Sequence, residues 1–363
     1  MIVIGVDTHK RSHTLVAVDA ATGGVLGERT IVANDDGALA ALRVAAALGD
    51  ERVWAIEDCR HVSGRLERTL VAAGERVIRI APALTANARR SAREPGKSDR
   101  IDALAVAHTA VREGLERFPA AFLDEQAMEI RLLCDYRDQL VAERTRAINT
   151  LRWHLLAVDP ELEASLRPSG LQGPRIRAKV ARRLARLGDG AQARIAKALL
   201  RRINEITRHE LELRAQMNTL IAAHSPQLLA EHGCGTITAA ILIGHTAGAE
   251  RSPTDASFAR HSGTAPIPAS SGNTTRHRLH RGGDRQLNRA LHTIALSRAR
   301  TDPHTRAYLD RRAADGKTKL EALRCLKRHL ARHFWQLLKD APASPQPAVT
   351  IHCNTPYNSF SLT

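Results

Sequence analysis

Residues 1–32, MIVIGVDTHKRSHTLVAVDAATGGVLGERTIV, decide the fold. Ile2–Val6 is a short apolar, β-prone run, and His13–Asp19 alternates polar and apolar side chains. Val25–Val32 is a third, weaker run of the same kind. Turn residues at His9–Ser12 and Thr22–Gly24 separate them, so the three read as consecutive antiparallel strands. Working outward, Asp36–Leu48 reads as an amphipathic helix opened by the pair Asp35–Asp36. Arg52–Ile56 is a fourth strand, Ser63–Ala73 a second helix and Arg76–Ile80 a fifth strand.

Three strands, helix, strand, helix, strand is the element order of an RNase H-like α/β domain, expected over residues 1–120. From Asp124 to Ala157 the period changes to that of a helix, with apolar residues at Met128, Leu132, Tyr136, Leu140, Ile148, Leu151 and Leu155. A second long helix is expected from about Ala191 to Ala223, so residues 121–225 read as an antiparallel helical hairpin or coiled-coil arm. Pro160–Gly190, rich in Arg, Pro and Gly, reads as a basic mobile connection or a short helix. Residues 226–340 are expected to form a mostly α C-terminal domain, and 341–363 a disordered or loosely docked tail.

The net charge of +16 and isoelectric point of about 10.5 imply a polyanionic partner, of which nucleic acid is the commonest. Codon bias accounts for Arg over Lys but not for the surplus over acids. With 3% aromatics, the cores must be built from Ala, Leu, Val and Ile. No run of eighteen apolar residues occurs, which argues against a membrane span. The opening MIVIGVDTHKRS does not read as a secretory signal. Cys59, Cys134, Cys234, Cys325 and Cys353 are odd in number and widely spaced, which fits reduced cytoplasmic thiols and not a disulfide frame or zinc ribbon.

The carboxylates carry the chemistry. Asp7 follows the first strand and Glu57 the fourth, and in an RNase H-like sheet these strands are neighbours. Asp58 competes with Glu57; alternation along the strand puts Glu57 on the face of Val53 and Ala55 and favours it. Asp99 and Asp102, in KSDRIDA, are spaced i and i+3 at a helix start and share one face. Taken singly, each is as well explained as a turn residue, cap or solvated acid. Four converging carboxylates need a cation, and hard oxygen donors suit Mg²⁺ or Mn²⁺. Two such ions would activate a nucleophile and steady the leaving oxygen of a phosphodiester.

In the second half, GCGTITAAILIGHTAG (Gly233–Gly248) reads equally as a helix-hairpin-helix, with N–H groups holding a phosphate, or as an ordinary buried helix after a glycine turn. Ser270, Ser271 and Gly272 then sit in a stiffened turn before a basic block that includes Arg276, Arg278, Arg281 and Arg285. A serine beside phosphate-binding cations is placed to attack phosphorus, although Ser-Ser-Gly is also a common turn sequence. His329 and His333, at i and i+4, have no third ligand in view and read as solvated or DNA-facing.

The stretches IGVDTHK, AIED, NARRSAREPGKSDRIDALAVA, GCGTITAAIL and GTAPIPASSGNTTRHRLHRGGDRQLNRALH together resemble the DEDD transposases of insertion sequences, a group that includes Piv-type DNA invertases. The likeness spans about residues 1–340. It implies a RuvC-like N-terminal domain with Asp7, Glu57, Asp99 and Asp102 as a metal-binding tetrad. It also implies a nucleophilic serine immediately before glycine, which maps to Ser271, with Ser270 one step away. Family members assemble as dimers and tetramers, so that one subunit's tetrad and another's serine can form one site. Some are guided by a noncoding RNA encoded by the element, which pairs with donor and target DNA. Arg89, Arg90, Arg93 and Lys97 are then expected to hold RNA or DNA backbone beside the tetrad. The competing readings are a resolvase-like nuclease that uses water, a non-enzymatic nucleic-acid scaffold, and a sugar-kinase or actin-like ATPase. The last needs a second phosphate-binding glycine loop that the sequence does not offer.

Overall fold

Five strands, β1 (Ile2–Thr8), β2 (Ser12–Asp19), β3 (Val25–Val32), β4 (Arg52–Glu57) and β5 (Val77–Ile80), form one sheet in the order β3-β2-β1-β4-β5. The computed structural model describes all residues except 58, 59, 81, 83, 86–97, 119, 122, 123, 189, 247, 250, 251, 270–276 and 341–363, the expected tail included. β1–β2 and β2–β3 are antiparallel across short turns. β4 is parallel to both β1 and β5, and the helices that lead into β4 and β5 supply the long connections parallel pairing requires. The first and fourth strands are thus neighbours, as the element order predicts.

Both faces of the inner strands are covered, which is why β1 and β4 read as near-continuous apolar runs, while edge strand β3 is largely exposed. On one face Ile4, Val6, Leu15, Trp54 and Ile56 pack with Ala38, Ala41 and Ala45 of α1 (Asp35–Leu48) and Leu66 and Leu70 of α2 (Arg60–Ala72). On the other, Val3, Val16, Val53, Ala55 and Ile78 pack with Ala103, Val106, Ala107 and Ala110 of α3 (Asp99–Glu113). Gly5 lets α3 rest on β1 backbone to backbone. A Cβ there would stand 2.1 Å from Ala103 O and 2.6 Å from Ala107 N. Two expectations shift slightly. α1 is capped by Asn34, whose side chain accepts from Gly37 N at 2.8 Å, with Asp35 and Asp36 already inside its first turn. β1 runs on through Asp7 to Thr8, because β2 pairs with it as far as His13.

By its contacts the chain divides into Met1–Glu125 with His245–Thr363, and Gln126–Gly244. The second unit is built on two helices of 34 residues, α4 (Glu125–Val158) and α7 (Ala191–His224). They run antiparallel. Leu151 and Leu155 share a core with Ala196, Leu200 and Ile203, and Leu140 shares one with Ile206 and Leu213. Arg137 and Arg144 both meet Glu210. The Pro160–Gly190 segment is folded rather than a loose connection. It holds α5 (Pro160–Ala164), a 3-10 turn at Gly170–Gln172 and α6 (Pro174–Ala185), with Leu162, Leu171, Val180 and Leu184 buried in the same core.

α8 (Pro226–Ala230) leads through a turn at Gly233, φ +79°, to α9 (Thr236–Thr246). Residues 239–243 of α9 are buried, in keeping with the buried-helix reading of that segment. In the C-terminal part of the first unit, α10 (Asp255–His261), α11 (Arg285–Thr301) and α12 (Pro303–Ala314) gather against α13 (Lys319–Lys339). Phe258, Leu291, Ile294, Leu330 and Phe334 are buried there. A two-stranded ladder, β6 (Ile267–Pro268) with β7 (His277–Arg278), lies between α10 and α11 in the chain.

Candidate functional site

Strand alternation and register bring the acids to one end of the sheet. Val3, Gly5 and Asp7 project to the α3 face of β1, and Val53, Ala55 and Glu57 to the same face of β4. The parallel register pairs Val6 with Ile56, so Asp7 and Glu57 occupy the next step of the ladder. α3 starts at the same end. Ser98 caps it, accepting from Ile101 N at 3.2 Å, and Asp99 and Asp102 fall in its first turn.

Asp7 is only 7% exposed, and its Oδ2 is buried without a hydrogen-bond partner. His9 Nε2 stands 3.0 Å from that oxygen and 3.2 Å from Asp99 Oδ1, close enough for an ion pair but off the line of a hydrogen bond to Asp7. One donor atom each from Asp7, His9 and Asp99 lies within 4.8 Å of the others. Burial raises the Asp7 carboxyl above its ordinary range. The charge of His9 opposes this, and Asp102 and Asp99 add to it. Burial pushes the His9 imidazole down, but Asp7 and Asp99 together carry it above its usual value. On the neighbouring ladder step, Thr8 Oγ1 and His13 Nδ1 are also buried without partners.

Glu57 has a different setting: buried Thr85 donates to its Oε1 at 2.5 Å. The structure therefore gathers Asp7 and Asp99 with His9, sets Asp102 close enough for its charge to act on Asp7, and puts Glu57 one strand over. Asp58 lies outside the described residues. His9 was not singled out from sequence. Its signal was an imidazole two residues beyond an acid at a strand end, which without coordinates reads as a turn residue. An open groove of about 580 Å³ leads away from Asp99 across β2 and β3, lined by Thr14, Glu28, Arg29, Thr30, Ser98 and Arg100.

Ser270, Ser271 and Arg276 lie outside the described residues, as do Arg89, Arg90, Arg93 and Lys97. The β6–β7 ladder brackets the serine segment, pairing Pro268 with His277. Behind the ladder, RGGDRQLN performs several structural tasks. Asp284 Oδ1 caps α11, accepting from Gln286 N at 2.8 Å and Leu287 N at 2.9 Å. Its Oδ2 meets His245 Nδ1 at 2.9 Å. Burial opposes ionisation of Asp284, but the hydrogen bond and charge of His245 outweigh it and hold the carboxyl far below its usual range. Gly283 passes so close to Gly263 that a Cβ would stand 2.3 Å from Gly263 N. Asn288 Nδ2 donates to Ser262 O and Gly263 O at 3.1 and 3.0 Å, and receives buried Lys327 Nζ on its Oδ1 at 2.7 Å. Sequence reasoning read this stretch as a basic block and as part of the family likeness, and gave no role to His245, Asp284, Asn288 or Lys327. Arg278, Arg281 and Arg285 are exposed, and none meets a carboxylate among the described residues. His329 is exposed and stands edge-on to Tyr308, ring centroids 5.5 Å apart.

Comparison with known proteins adds the following. Residues 4–160 match a family model described as a DEDD transposase of the IS110 type, and residues 226–310 match the transposase IS116/IS110/IS902 family. An insertion element IS900 uncharacterized 42 kDa protein of Mycobacterium paratuberculosis is 31% identical over 95% of this chain and 97% of its own. An insertion element IS110 uncharacterized 43.6 kDa protein of Streptomyces coelicolor is 30% identical over 67% of this chain and 71% of its own. Among solved structures, T. thermophilus RuvC in complex with Holliday junction substrate is similar over 33% of this chain and 99% of its own, at 17% identity and a TM-score of 0.27.

Proposed function

This chain belongs to the IS116/IS110/IS902 family of transposases, enzymes that cut and rejoin DNA, and on that premise we propose a serine-dependent, metal-assisted strand exchange. The N-terminal sheet is RuvC-like, and Asp7, Glu57, Asp99 and Asp102 hold Mg²⁺ or Mn²⁺. The observation that carries this reading is the convergence of buried Asp7 Oδ2, His9 Nε2 and Asp99 Oδ1 at one end of the sheet, with His9 3.0 Å from the first oxygen and 3.2 Å from the second. Converging carboxylates, one of them buried, suit a hard divalent cation, with His9 as an additional nitrogen donor. Bound there, the metal supplies charge for the phosphoryl and leaving oxygens.

The Ser271 hydroxyl forms a bond to phosphorus as the bond to the departing 3′ oxygen breaks; the serine proton goes to a base and the 3′ oxygen gains one. The resulting serine–DNA ester keeps the energy of the cut bond for rejoining to the 3′ hydroxyl of a partner strand. Arg278, Arg281 and Arg285, with Arg276, hold backbone on the serine side, and Arg89, Arg90, Arg93 and Lys97 on the acidic side. The Asp99 groove, with Arg29 on its wall and Arg100 held by Glu28, gives a strand room beside the acids. In this reading donor and target DNA are the substrates, an element-encoded noncoding RNA is the guide, and a dimer or tetramer of the chain joins one subunit's acids to another's serine.

The deciding experiment traps the ester. Wild-type protein incubated with Mg²⁺, the element-encoded RNA and labelled DNA spanning the element ends yields a protein-linked label that peptide mapping assigns to Ser271. Ser271→Ala yields none and no recombinant product. If Ser271→Ala still nicks the same DNA with Mg²⁺, water is the nucleophile and the chain is a resolvase-like nuclease.

A further inference from the structure

Helix α6 (Pro174–Ala185, PRIRAKVARRLA) with its C-cap Arg186 contains five basic residues within the helix and no acid. Its two sides differ. Arg177, Val180 and Leu184 are buried, the latter two in the core shared with α4 and α7. Arg177 is fastened there by Asn204 Oδ1 at 2.7 Å and by the carbonyls of Leu171 and Gln172 at 3.2 and 2.6 Å. These hydrogen bonds occupy its guanidinium, so Arg177 serves as a structural anchor. Arg183 is taken up by Asp159 at 2.6 Å.

Arg175, Lys179, Arg182 and Arg186 remain, spaced by four, three and four residues. At about 100° per residue this spacing sets all four in one stripe, opposite the buried side. All four are exposed, and none meets a carboxylate among the described residues. Like charges at these spacings repel one another, and an anionic partner lying along the stripe relieves that repulsion.

We propose that this outer face of α6 binds the phosphodiester backbone of nucleic acid through residues that belong neither to the acidic cluster nor to the serine segment. This rests on the reading of the chain as a nucleic-acid enzyme, and it assigns a backbone contact to the helical unit that no catalytic role explains. The stripe is about 16 Å long at 1.5 Å per residue, against which a duplex presents roughly ten phosphates. Four cations in a line, with no aromatic or amide among them, read charge and spacing and not base identity.

The test is the salt dependence of binding by the full chain, followed by fluorescence anisotropy with labelled random-sequence duplex DNA and, separately, a labelled stem-loop RNA. Each phosphate contact contributes about 0.9 to the slope of log K against log salt for a duplex and about 0.7 for a single strand. R175Q/K179Q/R182Q/R186Q is expected to lower the slope by roughly 3, and R182Q alone by just under 1. R175K/R182K/R186K, which keeps the charge, retains the wild-type slope. The probe whose slope falls identifies whether DNA or RNA occupies the face. Should circular dichroism show the quadruple variant unfolded, the single variant decides. If wild type binds both probes and none of the variants changes either slope, this inference is overturned and the transposase reading stands. If wild type binds neither probe, the transposase reading itself fails.

Discussion

Gly5→Ala tests how β1 and α3 hold the acids together. The added methyl would stand 2.1 Å from Ala103 O, 2.6 Å from Ala107 N and 2.8 Å from Ala107 Cβ, whereas ordinary contact begins near 3.4 Å. Two of these atoms are backbone, so no side chain can swing aside. The helix must retreat by about 1.3 Å (3.4 − 2.1). Such overpacking costs about 2 kcal/mol, which at about 3 °C per kcal/mol lowers the melting temperature by roughly 6 °C. Because Asp99 and Asp102 ride on the first turn of α3 and Asp7 on β1, the same retreat pulls the carboxylates apart. A misplacement of about 1 Å costs about a hundredfold in rate. The assays are thermal denaturation and metal-dependent cleavage of DNA carrying the element ends, with Gly27→Ala as control. Gly27 lies in edge strand β3 with nothing within 4 Å of its would-be Cβ, and this variant is expected to match wild type in both. A Gly5→Ala protein that melts and cuts like wild type would refute the close crossing of α3 on β1 and the reasoning built on it.

Two further outcomes follow from the site geometry. Asp7→Asn removes a buried charge that Asp99 and Asp102 repel, so metal-free protein should gain about 1 kcal/mol in thermal stability while DNA cleavage is lost; millimolar Mg²⁺ should then raise the melting temperature of wild type but not of the variant. Asp284→Ala removes the cap of α11 and the partner of His245, and should cost about 3 kcal/mol in urea unfolding at neutral pH. The folded-state pKa of Asp284 is depressed, so this advantage of wild type is complete above the ordinary value of 3.8 and erodes as pH falls below it; an advantage that instead shrinks from neutral pH upward would assign the stability to another group.

Strands β1 and β2 were readable because their apolar residues meet a helix on one face or the other, whereas edge strand β3, with only Ile31 buried, leaves the weaker pattern. Asp7 and Glu57 were readable for the same reason, since alternation fixes their face once the strand is placed. His9 was not. Its position depends on the turn that carries the chain from β1 to β2, and turns leave no periodic trace. Residues 160–190 looked like a linker because their many arginines mask four apolar anchors, Leu162, Leu171, Val180 and Leu184, too widely spaced to form one helical pattern. In RGGDRQLN the basic side chains drew attention, while the neutral and acidic ones do the bracing. Asn288 and Asp284 act on Ser262, Gly263, His261 and His245, partners 23 to 39 positions away that no local pattern shows.

The two 34-residue helices of the second unit have a mechanical consequence. At 1.5 Å per residue each spans about 51 Å, and α6 lies toward the end of the hairpin opposite to where the chain enters and leaves it. Within the unit, then, the cations of α6 are held far along the beam from the residues through which the chain enters and leaves, and paired helices of this length keep that separation nearly constant.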